Sequence, residues 1–267
     1  MYRDVRKPKL VVFHDANWKK TNSWIADVAE HMDAVIAAQR LFLNSVLEHP
    51  ADCPKRWEYF PLDLERSRKY RTDLSQRRGI VVCTQWIKWK NHHKLLPQLA
   101  EVQTPFRLFG NGQEYYMLRK SGVFQRVIRR DHTTGEVFNR KMRHQFYGFV
   151  PYADVIREMG QAIASLDASV KGYTNMTHWE PLTLGTVSMI ENRVVANEHN
   201  QIPDDCCYPF DLEDMGSAVD RLVSDPQGIE KLVDRADRFV QVTDCRKVVE
   251  RVLRWLQKHG IVRMLGK

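Results

Sequence analysis

The feature that most constrains this chain is a recurrence of short, unbroken apolar runs, each followed by a stretch with apolar residues every three or four positions. KLVVFH (9–14), GIVVCT (79–84), FRLFG (106–110), QFYGFV (145–150), AIASLD (162–167) and TVSMI (186–190) have the length and β-branched content of strands. AVIAA (34–38) and WEYF (57–60) are shorter candidates. A run like GIVVCT suits a strand covered on both faces, as in a parallel sheet. Helical spacing is read at Trp24–Met32, Leu41–Leu47, a segment ending near Ala100, a segment from Glu114, PYADVIREMG (151–160) and a segment opening near Glu180. The tail is helical over 212–224, 226–240 and 244–259. This alternation predicts an α/β fold on parallel sheets.

Residues 61–78, PLDLERSRKYRTDLSQRR, interrupt the pattern with a proline, few apolar residues and many cations. A domain junction is expected there, giving one domain over 1–75 and a second over 76–267 that carries the helical tail. Val127–Arg143 reads as a basic excursion able to form a hairpin. With 43% hydrophobic and 28% charged residues among 267, the chain is neither disordered nor collagen-like. No run of eighteen apolar residues occurs, and MYRDVRKPKL lacks the apolar centre of a secretion signal, so a soluble, cytoplasmic protein without membrane partners is expected.

Residues 1–150 hold 27 Lys/Arg against 15 Asp/Glu, and residues 151–267 hold 14 against 18. A basic excess in one part of a chain favours a polyanion or a phosphorylated small molecule. The five cysteines form no C-x-x-C pair, which predicts reduced thiols and no zinc site. The acidic pairs Asp63-Leu-Glu65 and Asp204-Asp205 lie in polar segments, so no metal is assigned.

From Gly79 onward the order of elements resembles the nucleotide-sugar domain of GT-B glycosyltransferases. A strand leads into a lysine-bearing turn (Trp89-Lys90), the next strand ends in Gly-x-Gly (Gly110, Gly112), and a Gly-Phe-Val-Pro segment (Phe149, Val150) precedes a helix. A His-x-Glu helix start (His178, Glu180) then ends in Gly185-Thr186. With VVFHD, which places His14 and Asp15 after the first strand, the set is similar to the DNA hydroxymethylpyrimidine glycosyltransferases, the T-even phage DNA α-glucosyltransferase group. The resemblance implies two Rossmann-like parallel-sheet domains, the N-terminal one truncated. It implies a nucleotide sugar, a UDP-sugar, as co-substrate with no further cofactor, modified duplex DNA in an infected bacterial cell as acceptor, and retention of anomeric configuration. A first domain of about 75 residues buries little core by itself, so a partner subunit or self-association is expected to complete its sheet.

Residue types fit these roles. Lys88 and Lys90 offer fixed positive charge to a leaving diphosphate, Gly110 and Gly112 allow close backbone approach, and Glu180 can accept hydrogen bonds from a ribose diol. The resemblance implies that His14 bonds a sugar hydroxyl and Asp15 orients or deprotonates the acceptor hydroxyl. For DNA the candidates are Trp18, Lys19, Lys20, Arg66, Arg68, Lys69, Arg71, Arg77 and Arg78, with Arg126, Arg129, Arg130, Arg140 and Lys141 on the excursion. Two positions depart from the pattern: Gln85 stands where relatives have an arginine, and Gly172 where many have an acid. Two other readings remain at this stage, a GT-B transferase with a non-DNA acceptor and an inactive nucleic-acid-binding subunit of the same fold.

Overall fold

A computed structural model describes residues 10–13, 31–37, 53–59, 61–83, 98, 102–109, 128–130, 136–139, 144–147, 151–167, 176–196 and 200–262. The chain divides into two compact units, one of residues 1–63 with 241–267 and one of residues 64–240.

In the first unit the runs read as strands become β1 (Leu10–Phe13), β2 (Ala34–Ala37) and β3 (Lys55–Trp57), all parallel in the order β1-β2-β3. β3 starts two residues before the sequence reading. It ends at Trp57, although the Glu58 amide still donates to Ala37 O at 3.0 Å.

The second unit opens with a short helix, α1 (Leu64–Arg68), inside the segment read as a junction. Then follow β4 (Ile80–Cys83), β5 (Phe106–Phe109), β6 (Ile128–Arg130), β7 (Glu136–Asn139), β8 (His144–Tyr147), α2 (Tyr152–Gly160), β9 (Ala164–Asp167), α3 (Met176–Thr183), β10 (Val187–Glu191), α4 (Asn192–Val195), β11 (Tyr208–Phe210), α5 (Met215–Val223) and α6 (Pro226–Val240). The sheet order is β11-β10-β9-β4-β5-β8-β7-β6. β11 through β8 are parallel, and β7 and β6 add an antiparallel hairpin at the β8 side, as the basic excursion predicted. β4 is covered on both faces, as its composition predicts. Ile80 and Val82 join Phe106, Leu166, Met189, Met215, Val219 and Ile229, and Val81 packs with Phe109, Ile156, Met159 and Leu184 on the other face. β11 was missed because Tyr208-Pro209-Phe210 carries a proline, which a sheet tolerates at an edge strand such as this one.

The closing helix, α7 (Cys245–Lys258), belongs to the first unit. Leu62 binds it there: its amide donates to Thr243 O and its carbonyl accepts from Cys245 N, each at 2.9 Å. Asp244 caps the helix by accepting from Arg246 N at 2.9 Å. The buried Glu58 accepts from Arg251 Nη2 at 2.6 Å, Arg56 Nη2 at 2.8 Å and the Tyr59 amide at 3.1 Å. Contacts therefore divide the chain at Asp63/Leu64 and again at Val240/Gln241, where the sequence reading had a single junction and one helical tail. An apolar stripe shows that a helix has a sheet to cover, but not which sheet.

The units also redistribute the charge. The first holds 16 Lys/Arg against 11 Asp/Glu and the second 25 against 22, so both are mildly basic. The strong asymmetry along the sequence disappears because the basic stretch 64–150 and the acidic stretch 151–240 belong to the same unit. The helix candidates at Trp24–Met32, Leu41–Leu47, before Ala100 and after Glu114 fall largely outside the described residues. Among the described residues no helix is long and apolar enough to cross a membrane.

Candidate functional site

In chain order the parallel strands β4, β5, β8, β9, β10 and β11 take the spatial order 3-2-1-4-5-6, with the direction of winding reversing between β4 and β9. At such a switch point the loops after two neighbouring strands diverge and leave a crevice beyond their carboxyl ends, where doubly wound sheets bind ligands. β4 and β9 are paired there, with Val82 opposite Leu166. The segment after β4 carries Gln85, Lys88 and Lys90, and the segment after β9 carries Gly172 and leads to α3. The two stretches that the resemblance assigns to the donor thus leave from adjacent strand ends.

α3 is fastened from beneath and behind. Asp167, last residue of β9 and 1% exposed, accepts from Thr177 Oγ1, and Ser188 Oγ on β10 donates to His178 O at 2.9 Å. Trp179 is fully buried and stacks on Phe239 of α6 with ring centroids 5.8 Å apart. The helix ends in a Schellman motif: Thr186 N donates to Pro181 O at 3.0 Å and Gly185 N to Leu182 O at 3.4 Å, with Gly185 at φ +65°. The buried Arg77 guanidinium adds donors to the same turn, reaching Leu184 O at 2.9 Å and Gly185 O, and it also donates to Thr72 O at 2.6 Å. Burial, helped by the nearby Arg71 charge, lowers its pKa to about 10, so it stays protonated at neutral pH.

Glu180 lies in the second turn of α3, half-buried, and accepts a hydrogen bond from the hydroxyl of Tyr152, the first residue of α2. Burial pushes the Glu180 carboxyl up to about 7, against the opposing pull of the Tyr152 hydroxyl. A carboxylate in this setting is an acceptor for hydroxyl donors. The sequence reading had α3 opening near Glu180, but the helix is already formed at Met176. Pro181 sits in the second turn of the helix rather than at its start, where proline is usually found. Here its missing N–H costs one bond inside a helix that Trp179 and Leu182, both fully buried, hold by packing.

His178, expected to contact the donor, has 0% exposure and is enclosed beneath α3. Arg77 is likewise withdrawn from the expected nucleic-acid surface, since it is 2% exposed and caps backbone carbonyls. Arg71 reaches the surface but its guanidinium is held by Asp237, Nη1 to Oδ1 at 2.7 Å. Arg66, Arg68, Lys69 and Arg78 are exposed. Arg129 and Arg130 lie on β6, the edge strand of the hairpin, opposite Phe138 and Val137. His14, Asp15, Trp18, Lys19, Lys20, Lys88, Lys90, Gly110, Gly112, Arg126, Arg140, Lys141, Phe149 and Val150 lie outside the described residues. Tyr152 and Asp167 were not singled out from sequence. A polar residue closing an apolar run at a parallel strand end was the available signal for Asp167.

Cys206 and Cys207 are buried, and burial, reinforced by Asp205 and Asp204, pushes both thiols up to about 12. Neither is a nucleophile at neutral pH. Among the described residues no three His, Cys, Asp or Glu side chains come together as a metal site.

No protein-family model and no curated protein sequence matches the chain. Solved structures do. HepE of Anabaena, solved in complex with UDP, matches with TM-score 0.69 at 15% identity over 95% of this chain and 73% of its own. Sucrose-phosphate synthase of Thermosynechococcus elongatus matches at 0.63 and 13% over 94% of this chain and 67% of its own. TarM matches at 0.63 and 12% over 92% and 50%. These neighbours are GT-B glycosyltransferases, and the fold of this chain is GT-B, as the order of its motifs predicted.

Proposed function

We propose that the chain is a retaining glycosyltransferase that moves a sugar from a UDP-sugar to a hydroxymethylated pyrimidine in DNA, or to a sugar already attached to one. The observation that carries the reading is a half-buried carboxylate, Glu180, on the helix that follows β9 at the switch point of a GT-B sheet. Solved neighbours of the same fold hold UDP or UDP-glucose, which supports the donor class. In this reading Glu180 meets the ribose, and Lys88 and Lys90 meet the diphosphate. His14 binds the transferred sugar and Asp15 orients the acceptor hydroxyl. The acceptor oxygen bonds to the anomeric carbon on the face from which the diphosphate departs. The anomeric carbon–oxygen bond to the diphosphate breaks, and the acceptor proton passes to the departing phosphate oxygen.

The acceptor rests on the phage-type resemblance and on the exposed cations Arg66, Arg68, Lys69 and Arg78. A second reading, a small or non-DNA acceptor, is favoured by the internal engagement of Arg77 and Arg71, which removes two cations from that surface. One experiment separates them: incubation with hydroxymethylated or unmodified DNA and a panel of nucleotide sugars, followed by mass analysis of the digested nucleosides. A gain of one hexosyl or pentosyl mass on the hydroxymethylated DNA alone supports the DNA reading. Hydrolysis or transfer to small acceptors without any DNA product overturns it.

A further inference from the structure

We propose that Tyr152 is a donor-positioning residue, whose hydroxyl holds the Glu180 carboxylate and yields it to the ribose of an arriving nucleotide. The inference rests on the donor-site reading above, in that it takes Glu180 as the ribose acceptor.

Tyr152 is an odd residue to find where it is. The residue is 54% exposed, so it contributes little to any core. It stands at the first position of α2, after Pro151, whose extended backbone (φ −54°, ψ 142°) sets the entry to the helix. From there its hydroxyl reaches 28 residues ahead in sequence to Glu180 Oε1 on α3. An exposed aromatic side chain fixed at a helix start, with its only polar atom on a half-buried carboxylate, is placed to orient that carboxylate. A ribose hydroxyl offers the same O–H donor, so the exchange replaces one hydrogen bond with another of the same kind and leaves the carboxylate satisfied in both states.

Several of the charged groups on the elements packed against α3 are engaged elsewhere. On α2 Asp154 pairs with Arg157 and Glu158 with Arg107, on α6 Asp237 pairs with Arg71, and on β9 Asp167 accepts from Thr177. α6 also carries Glu230, Lys231, Asp234, Arg235 and Arg238, α1 carries Glu65, Arg66 and Arg68, and β10 ends in Glu191, which pairs with Arg193. None of these charges shifts Glu180, whose titration is governed by burial and by Tyr152. Among the described residues the tyrosine is therefore the side chain whose removal is read directly in the charge state of the acceptor.

The test is calorimetric titration of the full chain with UDP-glucose from pH 5.5 to 8.5. This probe suits the range because a diphosphate diester keeps a fixed charge where a terminal phosphate would titrate near 6. Wild-type affinity is expected to rise with pH through a midpoint near 7, as Glu180 ionises. Tyr152→Phe keeps the ring and removes the donor that favours the ionised form. Its midpoint is expected to move up by about 0.5–1 pH unit, weakening binding at pH 6.5 by roughly three- to tenfold with little loss at pH 8.5. Glu180→Gln is expected to flatten the profile. A Tyr152→Phe profile that coincides with wild type overturns the positioning role while the donor site stands. Failure of the wild type to bind UDP-glucose at millimolar concentration overturns the donor-site reading and this inference with it.

Discussion

The Arg71 guanidinium occupies the space where a side chain on Gly185 would stand. A Cβ built on that glycine comes within 2.8 Å of Arg71 Cζ, and Gly185 itself holds φ +65°. The same guanidinium is gripped by Asp237 on α6, and that hydrogen-bonded pair keeps its pKa above the usual arginine value. One turn thus joins the segment before β4, the end of α3 and helix α6. Glycine is required there for the left-handed backbone, and a side chain would in addition displace the end of Arg71.

Gly185→Ala is therefore expected to destabilise the second unit by about 2–3 kcal/mol, combining roughly 1–2 kcal/mol of backbone strain with displacement of Arg71. Urea unfolding of the single variants and of Gly185→Ala with Arg71→Ala separates the two terms. The alanine should cost less in the Arg71→Ala background, and equal costs in both would show that the arginine yields freely.

Arg77→Met leaves the carbonyls of Thr72, Leu184 and Gly185 without their buried donor. A loss of about 3 kcal/mol is expected, since each unsatisfied buried acceptor costs roughly 1 kcal/mol or more. Chemical denaturation measures it. Stability within about 0.5 kcal/mol of wild type would mean that water replaces the guanidinium.

Glu180 sets a pH signature on stability. Its pKa is raised from 4.5 in the unfolded chain to about 7 in the fold, so the fold favours the protonated form. The penalty is absent below 4.5, grows as pH rises from 4.5 to 7, and is complete above 7. Glu180→Gln should accordingly raise Tm at pH 8 by about 2–6 °C, and by much less at pH 5. Equal effects at both pH values would contradict the assigned burial.

Glu58 runs the other way. Burial pushes its pKa up, but the Arg251, Arg56 and Tyr59 hydrogen bonds together hold it below the ordinary 4.5. Its contribution is complete above 4.5 and is lost as pH falls through the lower folded value. Glu58→Gln strands two arginines over a buried site and should cost about 2–4 kcal/mol at pH 7, with less difference from wild type below pH 4. Acid titrations of both proteins by circular dichroism provide the comparison.

If DNA is the acceptor, exposed cations supply the salt dependence. Each phosphate contact contributes about 0.9 to the slope of log affinity against log salt. Arg68→Gln with Lys69→Gln should flatten that slope by about 1–2 in filter-binding measurements. An unchanged slope would remove this face from the DNA-binding surface.

Much of the fold was legible before the tertiary structure. GIVVCT, FRLFG, AIASLD and TVSMI became β4, β5, β9 and β10, because short runs rich in apolar residues have the length and composition of strands rather than of helices. Gly185 as the stop after α3 was legible too, since a left-handed cap selects glycine. The edge strand β11 was not, and neither was the start of α3, whose first turn is held by packing of Trp179 against Phe239 of a distant helix.

By itself the sequence determined the strand–helix alternation, the order of the donor-side motifs and a net charge of +8, all of them properties of neighbours along the chain. Only the tertiary structure decided which arginines are surface and which are structural, that α7 returns to the first unit, and that Tyr152 meets Glu180. The physical reason is common to all three. A guanidinium, an amphipathic helix and a phenol each carry bonding capacity that any complementary group can satisfy, and the partner is chosen by contacts between segments far apart in sequence.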